Sequence, residues 1–319
     1  MRNAFAAELS AVASEDERIV LLSGDIGNRL FDRYKEKFND RFFNCGVAEA
    51  NMTSMAAGMA LCGLRPITYT ITPFNTTRCL EQIKIDICYH NLPVIIVGVG
   101  SGLSYAGLGP THHSCEDIAF LRALPNMTII CPGDVWEVRL ALGAAIVQGG
   151  PAYIRLGKKN EPVVHEGAPD FTIGKGILVR PGTEVCVLST GNMLPVSVQA
   201  SEELGKRGCS AAVFSCHTVK PLDEQLLFEC FDKFRVVVTV EEHSVIGGFG
   251  SSVAEWLADH APRKAYLCRI GTADQFLHEA GGQDYARHYF GLTPTGIAEK
   301  ALRRLEARNS RGYPAPPSR

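Results

Sequence analysis

The sequence predicts an α/β protein with two open domains, each built on a mostly parallel sheet. Three observations carry this prediction. The chain has 319 residues, which is enough for two domains of ordinary size. Short apolar runs rich in β-branched residues alternate with helical patterns along both halves. Two of these runs, Val94–Val99 and Thr128–Cys131, are almost wholly apolar, as expected of strands buried on both faces.

The first half of the chain contains a series of predicted strands separated by helices. It opens with an amphipathic helix whose apolar face carries Phe5, Leu9 and Val12. Repetition of strand, helix and strand implies right-handed crossovers and an open parallel sheet. The strands are predicted at Ile19–Leu22, Ile67–Ile71, Val94–Val99, Thr128–Cys131 and Tyr153–Leu156, and the helices between them at Glu49–Cys62, Thr77–His90, Cys115–Ala123 and Val135–Val147.

The character of the chain changes after Leu156. The segment Gly157–Gly174 contains Gly, Pro, Lys, His and Asp without periodicity, which is typical of a linker between domains. We therefore expect a first domain at residues 1–160, a linker at 161–174, a second domain at 175–308 and a flexible tail at 309–319. The strands of the second domain are predicted at Val185–Leu188, Ala211–Phe214, Val236–Val240 and Tyr266–Ile270.

Composition argues against several classes of protein. The 32 Lys and Arg residues and the 34 Asp and Glu residues give a net charge of −2, which argues against a nucleic-acid-binding protein. No apolar run approaches the ~18 residues of a membrane span, and acidic residues interrupt the N-terminal segment where a secretory signal would be apolar. The 11 cysteines form no C-x-x-C pair, so we expect free thiols in a reducing cytoplasm and no metal site.

Loops at the carboxyl ends of parallel strands are where open α/β sheets bind ligands. Glu49 opens a helix after Gly46-Val47-Ala48, where a carboxylate either serves a ligand or only stabilises the helix dipole. The segment Gly107–His113 is rich in Gly and Pro and carries His112 beside His113. It is either a ligand-binding loop or a simple cap for the helix that follows.

Other charged or glycine-rich positions also follow strands. Arg155 ends an apolar strand, and it either pairs with a structural carboxylate or binds an anionic substrate, two alternatives that the residues leave open. Phe74 and Arg78 follow the predicted strand Ile67–Ile71. The segment Gly247–Gly250 resembles an anion-binding helix start. Since no phosphate-binding motif follows it, tight backbone packing is the favoured interpretation.

Taken together, these segments resemble the carboxyl-terminal half of transketolase. The resemblance covers a pyrimidine-binding domain and a transketolase C-terminal domain, and the order and spacing of its motifs make it specific. The segment Arg78–Gln82 is nearest the pattern of deoxyxylulose-phosphate synthase, a related family. The whole chain is most similar to the small subunit of a split, two-chain transketolase. The matching segments are Leu22-Ser23-Gly24-Asp25, Gly46-Val47-Ala48-Glu49, Phe74 with Arg78, Gly109-Pro110-Thr111-His112 and Tyr153-Ile154-Arg155.

The resemblance implies thiamine diphosphate as the cofactor and assigns residues to its aminopyrimidine end. Glu49 falls on the glutamate that hydrogen-bonds N1′, where a desolvated carboxyl group favours the tautomer that takes the C2 proton. Phe74 falls on the ring that stacks against the aminopyrimidine. Asp25 lies in the loop that approaches the cofactor across the interface, and Arg78, beside Phe74, is also expected to bind the cofactor.

The resemblance also assigns substrate-binding residues. His112 falls on the histidine that contacts substrate oxygens near the reacting carbonyl, and Arg155 on the arginine that holds the sugar-phosphate end. Arg29 adds a cation near the mouth of the site. Gly100 and Leu108 stand where single-chain transketolases carry a histidine and an aspartate that contact sugar hydroxyls. A non-standard sugar is therefore expected, because the loss of a polar partner removes discrimination.

The resemblance further implies a partner chain. No Gly-Asp-Gly…Asn segment for the diphosphate and Mg²⁺ occurs in the sequence. An amino-terminal pyrophosphate-domain subunit, assembled with this chain in a heterotetramer, is therefore expected to hold Mg²⁺ and to be needed for two-carbon transfer from a sugar phosphate to an aldose. Two alternatives stay open: a deoxyxylulose-phosphate synthase-like or 2-oxoacid-decarboxylating subunit, and a non-catalytic partner.

Overall fold

A computed structural model describes residues 1–27, 29–158 and 160–310. The described strands are β1 Ile19–Ser23, β2 Phe42–Asn44, β3 Arg65–Ile71, β4 Ile95–Val99, β5 Thr128–Ile130, β6 Ala152–Leu156, β7 Ile177–Arg180, β8 Val185–Ser189, β9 Ala211–Ser215, β10 Thr218–Lys220, β11 Val236–Ser244 and β12 Tyr266–Thr272.

Helices alternate with these strands along both halves. They are α1 Arg2–Glu15, α2 Asp32–Lys37, α3 Glu49–Leu61, α4 Thr72–Asn75, α5 Leu80–Gln82, α6 Asp117–Arg122, α7 Val135–Gln148, α8 Leu194–Lys206, α9 Glu224–Lys233, α10 Phe249–Asp259, α11 Gln283–Tyr289 and α12 Pro294–Ser310, with a π-helix at Ile83–Tyr89 and 3₁₀ turns at Asn39–Arg41, Thr77–Cys79, Ala106–Leu108 and Gly191–Met193.

The described strands form two sheets. The first has seven strands in the order β10-β5-β6-β4-β3-β1-β2, and all its pairs are parallel except β10 with β5. The second has five strands in the order β12-β11-β8-β9-β7, and only β7 is antiparallel. The predicted fold class, two open α/β units with mostly parallel sheets, is confirmed.

Side-chain chemistry explains where the helix α7 begins and ends. The Asp134 carboxylate accepts hydrogen bonds from the backbone N–H groups of Trp136 and Glu137, which otherwise have no partner in the first turn. The helix ends at Gly149, whose φ of +76° is the left-handed conformation that a residue without Cβ adopts without strain.

Strand burial follows the sequence pattern. Every residue of β4, β5 and β6 is buried, in agreement with their apolar runs. Hydrophobic side chains from both faces of the first sheet pack under the flanking helices, with Leu9 and Phe5 of α1 fully buried on one face and Met52 of α3 on the other. The sheets are thus rigid platforms for the loops at their carboxyl edges.

The structure adds three strands to those predicted from the sequence: β2, β7 and β10. The last of these joins the first sheet although it lies at residues 218–220, because Thr218 pairs with Ile130 of β5. The predicted domains at 1–160 and 175–308 therefore share a sheet edge. The linker 161–174 contains no helix or strand, and the predicted tail at 309–319 begins inside α12, which ends at Ser310, while residues 311–319 lie outside the described residues.

Candidate active site

Loops from the carboxyl edge of the first sheet meet around one buried carboxylate, Glu49. This residue opens α3, and its side chain is only 3% exposed. Gly24, just after β1, lies against it: a Cβ at this position would be 3.0 Å from Thr70 Cβ and 3.4 Å from Glu49 Cγ. A glycine here therefore lets the end of β1 pack closely against the glutamate.

Arg78 joins Glu49 to Phe74. Its Nη1 donates hydrogen bonds to both carboxylate oxygens of Glu49, each at 3.0 Å. The centre of its guanidinium lies 4.2 Å from the centroid of the Phe74 ring. Glu49 is therefore desolvated, as expected, but it has a counter-charge that also covers one ring face.

Hydrogen bonds hold the segment that carries Phe74. Asn75 Nδ2 donates to the backbone oxygen of Val97, at 2.9 Å, and Thr72 Oγ1 donates to that of Val99, at 3.2 Å. The Cys79 thiol donates to the Phe74 carbonyl oxygen at 3.2 Å. The backbone segment that carries the ring is thereby held against β4, the strand that leads into the histidine loop.

His112 and His113 point in different directions. The His112 ring meets Phe74 edge to face, with centroids 5.2 Å apart, and its Nδ1 lies 2.9 Å from Thr111 Oγ1. Burial, together with the neighbouring His113 and Arg78, lowers the pKa of His112, so its imidazole is neutral at pH 7 and can donate or accept a hydrogen bond. His113 is buried and lies 3.2 Å from the Ala106 carbonyl oxygen.

The space beside Gly100 is filled by the ring of Tyr105, a residue that sequence reasoning missed. Gly100 has a φ of +73°, and a Cβ there would lie 1.9 Å from Cε2 of Tyr105. The Lys158 ammonium lies 4.5 Å from the centroid of the same Tyr105 ring. Leu108 is 56% exposed on the loop. A lysine two residues beyond the end of β6 is a signal that the sequence contained, whereas nothing in it pointed to Tyr105.

Asp25 and Arg29 lie in the loop after β1. Asp25 is exposed, with a φ of +56°, and its Oδ1 accepts a hydrogen bond from Asn44 at 2.9 Å. Arg29 is exposed as well. Among the contacts of the described residues, none joins Arg29 to Glu49.

Arg155 does not face an open site. Its side chain is 2% exposed, its Nε donates to Asp117 Oδ2 at 2.7 Å, and its Nη2 donates to the carbonyl oxygens of Ser114 and Glu242. Burial opposes ionisation of Asp117, but Arg155 holds the pKa of Asp117 below its usual value. The geometry favours the structural alternative, and we assign Arg155 no substrate contact.

The second domain supports the histidine loop through Glu242. The carboxylate of Glu242 accepts hydrogen bonds from the backbone N–H of Leu103, from Asn192 and from Gln283, at 2.9–3.0 Å, and it also pairs with Arg287. Because Leu103 lies between Gly100 and His112, this buried network ties the loop to the second sheet.

The glycine-rich segment at 247–250 holds an anion supplied by the chain itself. The backbone N–H groups of Phe249 and Gly250 donate to Glu241 at 2.7 and 2.8 Å, and a Cβ on Gly248 would meet Glu241 Oε2 at 2.2 Å. Burial raises the pKa of Glu241 to about 7 and lowers that of the adjacent His243 to about 4. The segment is thus both tightly packed, as favoured from the sequence, and occupied by a carboxylate.

The residues that the structure describes hold no group of three His, Cys, Asp or Glu side chains that could bind a metal ion. Their helices include none with both the length and the apolar character that crossing a bilayer requires.

The family model of the transketolase pyrimidine binding domain matches residues 1–163, and that of the transketolase C-terminal domain matches residues 174–297. The chain therefore belongs to the transketolase family, whose enzymes depend on thiamine diphosphate.

Similar proteins include split transketolases. The 6-deoxy-6-sulfo-D-fructose transketolase subunit SqwH of Clostridium sp. (strain MSTE9) is 37% identical over 312 residues, 98% of this chain and 96% of the relative. A 1-deoxy-D-xylulose-5-phosphate synthase of Halalkalibacterium halodurans is 36% identical over 96% of this chain but only 49% of the synthase. A solved split gene transketolase, an inactive beta4 tetramer, matches with a TM-score of 0.87 and 32% identity, covering 96% of this chain and 98% of its own.

Proposed function

We propose that this chain is the small subunit of a two-chain transketolase and supplies the aminopyrimidine end of its active site. The observation that carries the proposal is the cluster of a buried carboxylate, Glu49, a half-buried ring, Phe74, and a neutral histidine, His112, at one sheet edge. Similarity along nearly the full chain to a split transketolase subunit supports it.

The residues fit the aminopyrimidine end of thiamine diphosphate. The cofactor, when bound, supplies a C2 carbanion that adds to the donor carbonyl. Glu49 is proposed to hold the N1′ atom and to exchange a proton with it, and Phe74 to support the ring by stacking. Arg78 currently contacts both, so it must shift when the aminopyrimidine binds. His112 is proposed to hydrogen-bond a substrate oxygen, and Asp25 to complete the loop near the cofactor.

The diphosphate and Mg²⁺ are proposed to lie on an amino-terminal subunit. The absence of a Gly-Asp-Gly…Asn segment from this sequence supports that division. A heterotetramer with two sites would bring both ends of the cofactor together. The similar solved chain is described as an inactive tetramer of one subunit type, which is consistent with a requirement for a second chain.

The donor is proposed to be a ketose with a terminal anion, and the sugar to be non-standard. Gly100 and Leu108 support a non-standard sugar, since both lack polar side chains. The relative named for 6-deoxy-6-sulfo-D-fructose makes a sulfonated ketose a specific candidate beside a ketose phosphate. Arg29 is kept as a cation at the mouth of the site, and Lys158 replaces Arg155 as the cation proposed to face the substrate.

Reconstitution tests the proposal. This chain is mixed with the chain that carries the Gly-Asp-Gly…Asn segment, thiamine diphosphate and Mg²⁺, and xylulose 5-phosphate or pyruvate is offered as donor. Two-carbon transfer from the ketose without carbon dioxide release supports the transketolase. Carbon dioxide from pyruvate would favour the synthase-like alternative, to which the Halalkalibacterium relative gives weight. Full activity of the large chain alone would favour a non-catalytic role, and full activity of this chain alone would refute the split arrangement.

A further inference from the structure

The space beside Gly100 is occupied by an aromatic ring. A Cβ at position 100 would lie 1.9 and 2.2 Å from Cε2 and Cδ2 of Tyr105, which is closer than any non-bonded carbon pair allows. A side chain at 100 and the observed Tyr105 position therefore exclude one another. The ring stands in the place where a side chain of residue 100 would begin.

The Tyr105 backbone is held on both sides. Upstream, the N–H of Leu103 donates to the buried Glu242 carboxylate at 2.9 Å. Downstream, the N–H of Leu108 donates to the Tyr105 carbonyl oxygen at 2.8 Å. The ring lies 6.2 Å from the His112 ring, centroid to centroid. The backbone that carries Tyr105 is therefore held in place, and the ring lies next to the residue proposed to contact the substrate.

Lys158 lies over the face of the Tyr105 ring. Its ammonium is 4.5 Å from the Tyr105 centroid, and its side chain is half-buried. An ammonium has three donors, so contact with a ring face leaves donors for an anion. Nearby, the Nη1 of Arg78 is already bonded to Glu49, and His112 is neutral at pH 7. Lys158 thus has an ammonium group free to donate to an anionic substrate.

We propose that Tyr105 is a specificity-determining residue, whose ring replaces a side chain at position 100 and positions Lys158 to bind the terminal oxyanion, phosphate or sulfonate, of the sugar. The inference rests on the proposed function. The Tyr105 ring fills the volume that a side chain at position 100 would occupy. The Lys158 ammonium then offers the substrate a charged contact in place of a polar side chain at position 100.

The test compares Tyr105→Leu, Tyr105→Phe and Lys158→Met in the assembled two-chain enzyme. Tyr105→Leu should raise KM for a phosphorylated or sulfonated sugar by roughly three- to tenfold, as expected for loss of a cation–π contact, with the change in KM rather than kcat. The uncharged sugar of the same length should show no such rise. Tyr105→Phe keeps the ring and should retain the low KM.

Two controls separate a positioning role from general damage. Lys233→Met removes another lysine that lies over an aromatic ring, Phe234, in the second domain, and it should change no KM. The double variant Tyr105→Leu/Lys158→Met should be no worse than Lys158→Met alone, since the ring acts through the lysine. Additive effects, or an equal KM rise for charged and uncharged sugars, would overturn the inference.

A binding measurement keeps this inference distinct from the proposed function. Inorganic phosphate and sulfate are titrated into the assembled protein by calorimetry, without turnover. Binding to the wild type and to Tyr105→Phe, with loss in Lys158→Met, supports the subsite even if no transketolase activity is found. Comparing a sugar phosphate with its sulfonate then identifies the preferred oxyanion, and a preference for either supports the subsite. If Lys158→Met bound phosphate and sulfate as tightly as the wild type does, the proposed subsite would be overturned.

Discussion

The Nη1 of Arg78 donates to both carboxylate oxygens of Glu49, at 3.0 Å each. The same guanidinium lies on the Phe74 ring face. A planar group that donates N–H to Glu49 and stacks on Phe74 makes the contacts proposed for the aminopyrimidine. The proposed aminopyrimidine site therefore requires Arg78, which makes these contacts in the isolated chain, to move when the ring binds.

Arg78→Met should tighten binding of thiamine diphosphate to the assembled enzyme. The arginine is 46% exposed, so the interaction to be broken is worth about 1 kcal/mol, or roughly fivefold in Kd. Fluorescence titration with the cofactor measures the change. Lys84→Met, on the adjoining π-helix, is the control and should leave Kd unchanged. Weaker binding in Arg78→Met would instead identify Arg78 as a direct cofactor contact.

Glu49→Gln should abolish turnover while the assembled enzyme stays folded. Glutamine has nearly the same shape as glutamate but cannot exchange a proton with N1′, and loss of such a step costs about 10²–10⁴ in rate. The single-turnover rate is the measurement. The exposed Glu81 offers a matched control, and Glu81→Gln should keep the wild-type rate. Retention of near-normal rates in Glu49→Gln would remove Glu49 from the proposed role.

Asp117→Asn should strongly destabilise the isolated chain. The Asp117–Arg155 pair is almost completely buried, and removing one charge leaves the other without its partner, at a cost of about 3–5 kcal/mol. Urea unfolding followed by circular dichroism measures the loss. Glu203→Gln breaks an exposed pair with Lys206 and should leave the transition where it was.

Arg155→Lys tests the same pair from the other side. A structural role predicts a lower melting temperature with an unchanged KM for the sugar substrate in the assembled enzyme, because lysine keeps the charge but loses the two-pronged contact. A raised KM at unchanged stability would restore Arg155 as a substrate ligand.

Glu241 and His243 should change the free energy of unfolding in opposite directions as the pH changes. Burial raises the pKa of Glu241 from 4.5 to about 7, so its contribution is present below pH 4.5 and is lost as the pH rises through 7. The pKa of His243 falls from 6.5 to about 4, so its contribution is present above pH 6.5 and is lost as the pH falls through 4.

Between pH 4.5 and 6.5 the contribution of Glu241 to the free energy of unfolding falls with pH, and that of His243 rises. Asp117 and Arg155 also face this pair, but both stay charged in that window. The melting temperature of Glu241→Gln should therefore rise with pH between pH 4.5 and 6.5, because only the effect of His243 remains. The melting temperature of His243→Asn should fall over the same range, because only the effect of Glu241 remains. Parallel pH profiles for the two variants would contradict this assignment.

Local pattern was enough to locate most of the strands. The apolar runs at Val94–Val99 and Thr128–Cys131 correspond to β4 and β5, because burial on both faces leaves a signal in consecutive residues. The helix predicted from Cys115 begins at Asp117 instead. The strand β10 has three residues and pairs with β5 across the domain boundary, so no local pattern could reveal it.

The candidate site was only partly accessible from the sequence. The motifs that resemble transketolase named Glu49, Phe74 and His112, and the structure brings the three together around Arg78. The resemblance also named Arg155, whose partners Asp117 and Glu242 come from distant parts of the chain. Neither partner has a spacing that would identify it.

The sequence by itself determined the two α/β units, most of their strands and the family, because strand burial and motif order are properties of consecutive residues. Only the tertiary structure decided which charges meet. Arg155 is neutralised inside the protein, Arg78 covers the proposed pyrimidine site, and Tyr105 fills the space beside Gly100. The ion pairs Arg155–Asp117 and Arg78–Glu49 join residues far apart in the chain, and the contact of Tyr105 with Gly100 depends on the conformation of their loop. Coulomb and packing energies are set by the resulting distances.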